Sequence, residues 1–190
     1  SERQAFETLK QKLIAQSGSD EWIILSNVAH SFSSQRQSDE IDFLLIGPQG
    51  LFVIEVKHWD RAWIKKNQIQ VESEAEKLSN KVRRVATSAR RLLAALPRVP
   101  GRILLTAESK PLGSATRLSH RGIEFFTLKE IKELLDLDQP AQVPSVVVKD
   151  LCHYLEPRTK LNLSGGMRRL GDFTNLELQS PASERFHRVY

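Results

Sequence analysis

The chain has one cysteine, Cys152, and one methionine in 190 residues, and only 7% of it is aromatic. A single cysteine excludes an internal disulfide, so a reducing compartment, the cytoplasm, is expected. The cysteine and the five histidines show no zinc-site spacing. No run approaches the ~18 apolar residues of a membrane span, so no membrane partner is expected. No basic, apolar, small-residue leader opens the chain. There is no internal repeat and no low-complexity tract. What is present is globular: 40% hydrophobic and 27% charged residues, in a length that suits one domain with a core and some tail. The net charge is +5 and the isoelectric point about 9.5, which is compatible with nucleic acid but decisive only through its distribution. The chain starts at Ser1 and stops on a strand-like "RFHRVY", as a piece of a longer protein would.

Apolar spacing predicts a first helix over 3–16, with Phe6, Leu9, Leu13 and Ile14 on one stripe. Strands are expected over 21–29, 40–46 and 51–58, with a polar loop, "HSFSSQRQSD", before the second. A short strand or hairpin is expected near 62–73, and a second helix over 74–96, stopped by Pro97 and Pro100. Then follow a strand at 102–108, a strand and short helix within "IEFFTLKEIKELLDL", and a helix over 146–156. The order points to the α/β class, more fully an α+β mixed sheet: an early antiparallel meander, then a helical crossover. Residues 1–156 form the expected domain, and 157–190 a linker or the start of a following one.

The stretch "EIDFLLIGPQGLFVIEVKHW", Glu40 to Trp59, carries charges inside two apolar runs. If 47–50 is the hairpin loop, Asp42 lands opposite Glu55 and Glu40 opposite Lys57. Opposed Cβ atoms in such a pair lie ~4.5–5.5 Å apart. Alternation puts Asp42, Glu55 and Lys57 on one face, and Phe43, Leu45, Ile54 and Val56 on the other. Opposed carboxylates repel, unless a hard divalent cation lies between them. Such an ion polarises phosphoryl oxygens and activates water, and a neighbouring lysine stabilises developing charge. The competing reading is a set of solvated charges with a plain Glu40–Lys57 ion pair, and a one-residue slip in register would dissolve the pairing.

The spacing of Asp42 and Glu55-Val56-Lys57 resembles the D…(D/E)xK signature of restriction-endonuclease-like enzymes. The longer run, with Glu40-Ile41-Asp42, Gly50, the "EVK" and Trp59, resembles the nuclease-related domain (NERD) family over roughly residues 2–110. The resemblance implies a central mixed β-sheet flanked by helices and a Mg²⁺- or Mn²⁺-dependent phosphodiesterase acting on nucleic acid, with DNA expected ahead of RNA. It implies that Asp42 and Glu55 bind the metal with the Val56 carbonyl as a third ligand, that Lys57 is the catalytic lysine, and that Glu7 on the first helix is an extra acidic group. The chain departs from the family pattern after Asn80, where Lys81 replaces a proline and Arg84 a glutamine. That departure keeps a second reading open: a weak or inactive module that binds nucleic acid or docks a neighbouring kinase or helicase domain.

From Lys81 to Arg102 there are seven basic residues and no acidic one. Val82, Val85, Ala89, Leu92, Leu93 and Leu96 form an apolar stripe, and Arg83, Arg84, Arg90 and Arg91 fall opposite it. Arginine suits phosphate contact, so this ridge is the expected nucleic-acid surface, with a solvated polar face as the alternative. Trp59 and Trp63 either stack on bases or pack on the core edge. The tail offers "LEL" and "FHRVY" as short strands and faintly resembles the start of a protein-kinase small lobe, which implies C-terminal partner domains in the same polypeptide.

Overall fold

A computed structural model describes residues 2–15, 22–30, 39–91, 94, 96–113, 119–155, 159–163, 166–169 and 186–188. The elements run α1 (Glu2–Ile14), β1 (Ile23–His30), β2 (Asp39–Gly47), β3 (Gly50–Lys57), α2 (Arg61–Lys66), α3 (Gln68–Arg90), β4 (Gly101–Leu105), β5 (Ser119–His120), β6 (Ile123–Thr127), α4 (Ile131–Leu134), α5 (Ser145–Leu155), β7 (Thr159–Leu163), β8 (Gly166–Arg169) and β9 (Phe186–Arg188). The strands make one mixed sheet in the order β5-β6-β4-β3-β2-β1-β7-β8, with β9 also paired to β1. β1, β2 and β3 are an antiparallel meander, while β3, β4 and β6 run parallel. The β3-to-β4 connection must therefore cross over, and α2 and α3 make the crossing.

β2 and β3 read as continuous apolar runs because both faces are covered. On one face Phe43, Leu45, Phe52 and Ile54 meet Phe6, Leu9 and Leu13 of α1 and Ile131 and Leu134 of α4. On the other, Leu44, Ile46, Leu51 and Val53 meet Val71, Ala75, Leu78, Val85 and Ala89 of α3 and Val148 and Leu151 of α5. The expected mixed sheet flanked by helices is thus present. The Arg102 guanidinium stacks between the rings of Phe52 and Phe126, 5.1 Å from each centroid. It donates to the carbonyls of Glu133 and Leu134 and pairs with Asp136 at 2.7 Å, tying the end of α4 to the sheet.

The hairpin register is the expected one: Phe43 faces Ile54, Leu45 faces Phe52 and Ile46 faces Leu51. The turn itself is tighter, because Gly47 and Gly50 also pair and only Pro48 and Gln49 are left as loop. Gly50 has φ 139°, a conformation that L side chains rarely adopt. The amides of Gln142 and Val143 clamp the turn by donating to the Pro48 carbonyl at 2.7 and 2.8 Å.

The strand expected over 62–73 is a correction, since those residues are helical apart from Asn67, the cap between α2 and α3. The Ile-Gln-Val alternation at 69–71 imitates a strand, but Ile69 is 86% exposed and only Val71 is buried. Helical spacing governs instead: Val71, Ala75, Leu78 and Val85 all face the sheet. Asp60 starts α2 by accepting from the Trp63 amide at 2.7 Å. The second helix accordingly begins earlier than expected and ends at Arg90, not near 96. Ile14, assigned to the apolar stripe of α1, is half exposed. The loop at 31–38, Leu92, Leu93 and the "LEL" piece lie outside the described residues. Beyond Leu155, the backbones of β7, β8 and β9 extend the sheet from β1. Among the described residues no helix is long and apolar enough to cross a membrane.

Gly47 is required by close approach, because a Cβ there would meet the Trp22 ring at 2.3–2.5 Å. Gly47→Ala is expected to cost roughly 1–3 kcal/mol, the usual penalty of overpacking. Urea unfolding followed by tryptophan emission checks this; an unchanged midpoint would show that Trp22 yields freely.

Candidate active site

The β2–β3 ladder ends at Phe43–Ile54, and the next residues outward are Asp42 and Glu55. Backbone groups of successive strand residues point to alternating sides. The Val53 amide and the Lys57 carbonyl bond on the β4 side of β3, to Pro100 and Thr106. Val56 therefore turns both its N–H and its C=O toward β2. The N–H finds the side chain of Asp42, donating to Oδ2 at 2.6 Å. The Val56 carbonyl lies on the same side, just past the last paired residues.

Glu55 is 7% exposed. Each of its oxygens faces an ammonium: Oε1 the Lys81 Nζ at 2.5 Å, and Oε2 the Lys57 Nζ at 3.7 Å. Lys57 is held mainly elsewhere, by Glu74 Oε2 at 2.8 Å, and the other Glu74 oxygen takes Lys77 at 2.6 Å. An alternating series thus runs Lys77–Glu74–Lys57–Glu55–Lys81. Among the described residues Asp42 has no ion-pair partner.

Glu74, Lys77 and Lys81 all come from α3, and sequence reasoning missed all three as site residues. The helix expected over 74–96 already contained all three, but nothing local in the sequence says that this side of it faces Glu55 and Lys57. Positions 74, 77 and 81 fall on one side of that helix, 77 and 81 lying three and seven residues after 74. The cross-strand Glu40–Lys57 pair is absent as well: Glu40 is exposed and only its carbonyl reaches the site, accepting from Lys81 at 2.5 Å.

The remaining candidates divide. Glu7 is exposed on α1, which packs on the opposite face of the sheet, whereas the α1 acid whose charge bears on Asp42 is Glu2. Arg83, Arg84, Arg90 and Arg91 are all exposed, three along α3 and Arg91 at its C-cap. Trp59 and Trp63 stack on each other, centroids 4.5 Å apart at 18°, and both pack on the core edge. The Lys57 ammonium lies 5.9 Å from the Trp59 ring centroid. His58 points away to the Thr106 hydroxyl, 3.0 Å from its Nδ1.

A family model for the nuclease-related domain matches residues 1–111. The chain belongs to the nuclease-related domain (NERD) family. No curated protein and no solved structure matches the chain at the significance required. The matched span contains α1 to β4, and so every element that contributes to the Asp42–Glu55–Lys57 cluster.

Electrostatics mark this corner of the NERD domain. Burial pushes the Asp42 carboxyl up, and the charge of Glu2 adds to the effect, against the Val56 amide and the charges of Lys57 and Lys81. Burial also pushes Glu55 up, the Asp42 charge next, against the pull of Lys81 and Lys57. For Lys57, burial alone would lower the pKa, but the bond to Glu74 and the charges of Glu55, Glu74 and Asp42 outweigh it and raise it. For Glu74, burial is likewise outweighed, and its bonds to Lys57 and Lys77 lower it.

These directions set the pH dependence. In the unfolded chain Asp42 and Glu55 titrate near the ordinary carboxylate value of about 4. The native state holds their protons more tightly, so their contribution to stability is best in acid and falls as pH rises through the elevated native values. Asp42→Asn keeps an acceptor for the Val56 amide and removes one of the opposed charges. In chelator-treated buffer at neutral pH the variant is expected to melt higher, by about 2–4 °C per kcal/mol recovered. Its advantage is expected to shrink toward pH 4. A lower melting temperature for the folded variant at neutral pH would mean that the two carboxylates do not oppose folding.

Proposed function

We propose that this NERD domain hydrolyses a phosphodiester bond in nucleic acid, DNA ahead of RNA, with Mg²⁺ or Mn²⁺ held by Asp42 and Glu55. The observation that carries the reading is the convergence of these two carboxylates with the Lys57 ammonium where the β2–β3 ladder ends. The donor chemistry fits such an ion: two hard oxygen donors, both raised by burial and, at Glu55, by mutual repulsion, with the Val56 carbonyl on the same side. Magnesium sites of this kind use one or two carboxylates and keep several waters, so two acids suffice.

When bound, the cation supplies Lewis acidity toward a phosphoryl oxygen and a more acidic water. The residues of the chain do the rest. Asp42 is oriented by the Val56 amide, which fixes one of its oxygens. Lys57 is held by Glu74 beside Glu55, where it can orient water or meet charge growing on the phosphate. Lys77 steadies Glu74 and so the position of Lys57. The exposed arginines of α3 extend from the same helix, and they suit the flanking phosphates of a bound strand. A reducing compartment and downstream domains in the same polypeptide complete this reading.

Labelled DNA and RNA incubated with Mg²⁺, Mn²⁺ or EDTA provide the test, with Glu55→Gln and Lys57→Ala proteins alongside. Cutting is expected with metal only and reduced at least ~10²-fold in both variants, the scale for loss of a charge-stabilising or proton-transfer group. Equal cutting by Lys57→Ala and the parent would sink the assignment.

One observation favours a second reading, a NERD module that binds nucleic acid without cutting it. Lys81 already neutralises Glu55, and among the described residues no group of three Asp, Glu, His or Cys side chains could hold a metal. Either reading uses the arginine ridge. Glutamine at 83, 84, 90 and 91 is expected to flatten the slope of log affinity against log salt by up to about 0.7–0.9 for each phosphate no longer neutralised, in a binding titration without divalent ions. An unchanged slope would remove the ridge from the interface.

A further inference from the structure

Glu55 is served by two ammonium groups, and their supports differ. Lys57 Nζ stands 3.7 Å from Glu55 Oε2 and is drawn off by Glu74 at 2.8 Å, which Lys77 pins in turn at 2.6 Å. Lys81 Nζ sits at 2.5 Å on Glu55 Oε1, and its other partner is the neutral carbonyl of Glu40, also at 2.5 Å. Lys57 thus has a carboxylate of its own to stay with. Among the described residues Lys81 has none apart from Glu55. Its side chain is 15% exposed and the side chain of Glu55 9%, so the pair is largely shielded from bulk counterions.

A Mg²⁺ ion approaches carboxylate oxygens to about 2.0–2.1 Å. An ammonium at 2.5 Å from the same oxygen would then lie a few ångströms from a dication, and two like charges that close repel strongly where water is scarce. One of the two cations must leave. Lys57 has reason to remain, whereas Lys81 does not.

We propose that Lys81 is a built-in counter-cation of the Asp42–Glu55 pair, which compensates Glu55 while no metal is bound and is displaced when a divalent ion enters. The proposal rests on the metal-dependent reading of the same site. Lys81 thereby lowers the affinity for the metal, because each binding event must break its bond to Glu55. Since Lys81 is on α3 three residues before Arg84, the released ammonium joins the basic side of that helix as the metal arrives. Metal and phosphate binding are then coupled, and linkage makes the coupling reciprocal.

The test compares Mn²⁺ binding to the chelator-stripped parent and to Lys81→Met, by calorimetry or by the loss of the free-ion paramagnetic resonance signal. Met keeps the aliphatic stem and removes the charge. The variant is expected to bind Mn²⁺ at least tenfold more tightly, and to melt lower than the parent in EDTA but not in saturating Mn²⁺. A folded variant that binds Mn²⁺ no better than the parent overturns the proposal and leaves the nuclease reading standing. Failure of both proteins to bind overturns the proposal and the metal-dependent reading together. A second measurement needs no variant: acetylation of Lys81 in the parent, followed by mass spectrometry, with exposed Lys65 as the internal reference. Saturating Mn²⁺ is expected to speed labelling of Lys81 relative to Lys65; an unchanged or slower rate overturns the proposal even where Lys81→Met does not fold.

Discussion

Two carboxylates at the open end of one β-hairpin, with the sheet between two helical layers, set the terms for everything nearby. Burial disfavours the charged form of each, and Asp42 adds repulsion to Glu55. A sheet cannot carry such a pair without compensation. The compensation comes from α3, which supplies Lys81 directly and Lys77 and Glu74 as supports for Lys57. The helix that closes the hydrophobic core on this face is therefore also the electrostatic partner of the site. Its apolar positions, Val71, Ala75, Leu78 and Val85, determine its height over the sheet, and its charged positions are delivered as a consequence.

Much of this was legible in the chain because β-hairpins propagate register from their turns. Once Gly-Pro-Gln-Gly is taken as the turn, facing residues follow by arithmetic, and so does the shared face of Asp42, Glu55 and Lys57. The turn proved two residues tighter, but symmetrically, so no pair changed. What was not legible depends on contacts between elements. The stretch at 62–73 carries both a period-2 and a helical pattern, and only the sheet face waiting beneath α3 selects the second. Glu7 and Glu2 differ by five positions on one helix, and no local signal says which end of α1 points toward the hairpin. Lys81 read as a departure from a motif, because its partner is 26 positions away and on another element.

The sheet also separates two kinds of buried charge. Arg102, on the face opposite the carboxylate pair, is held by two carbonyls, Asp136 and two aromatic rings, and ties α4 to the sheet. Its two terminal nitrogens carry these contacts, as expected of a structural ion. Asp42 is the contrast, with a single bond to the Val56 amide. A half-buried acid with one neutral donor, toward which Lys57 and Lys81 act only through their charge, has its carboxyl pushed up and so opposes folding at neutral pH.

That contrast bears on the choice between a cutting and a merely binding domain. A module that had exchanged its metal for Lys81 would need one acid to receive the ammonium, and Glu55 serves that purpose. Asp42 would then be a pure burden, relieved by a one-atom change to asparagine that keeps the bond to Val56. The chain instead keeps an aspartate at 42 beside Glu55, with the Val56 carbonyl turned toward the same opening. Lys57, Lys77 and Lys81 match Asp42, Glu55 and Glu74 in number, but among the described residues none of the three ammonium groups makes an ion pair with Asp42. Under the metal-dependent reading, Asp42 is the oxygen donor that a divalent ion would take up.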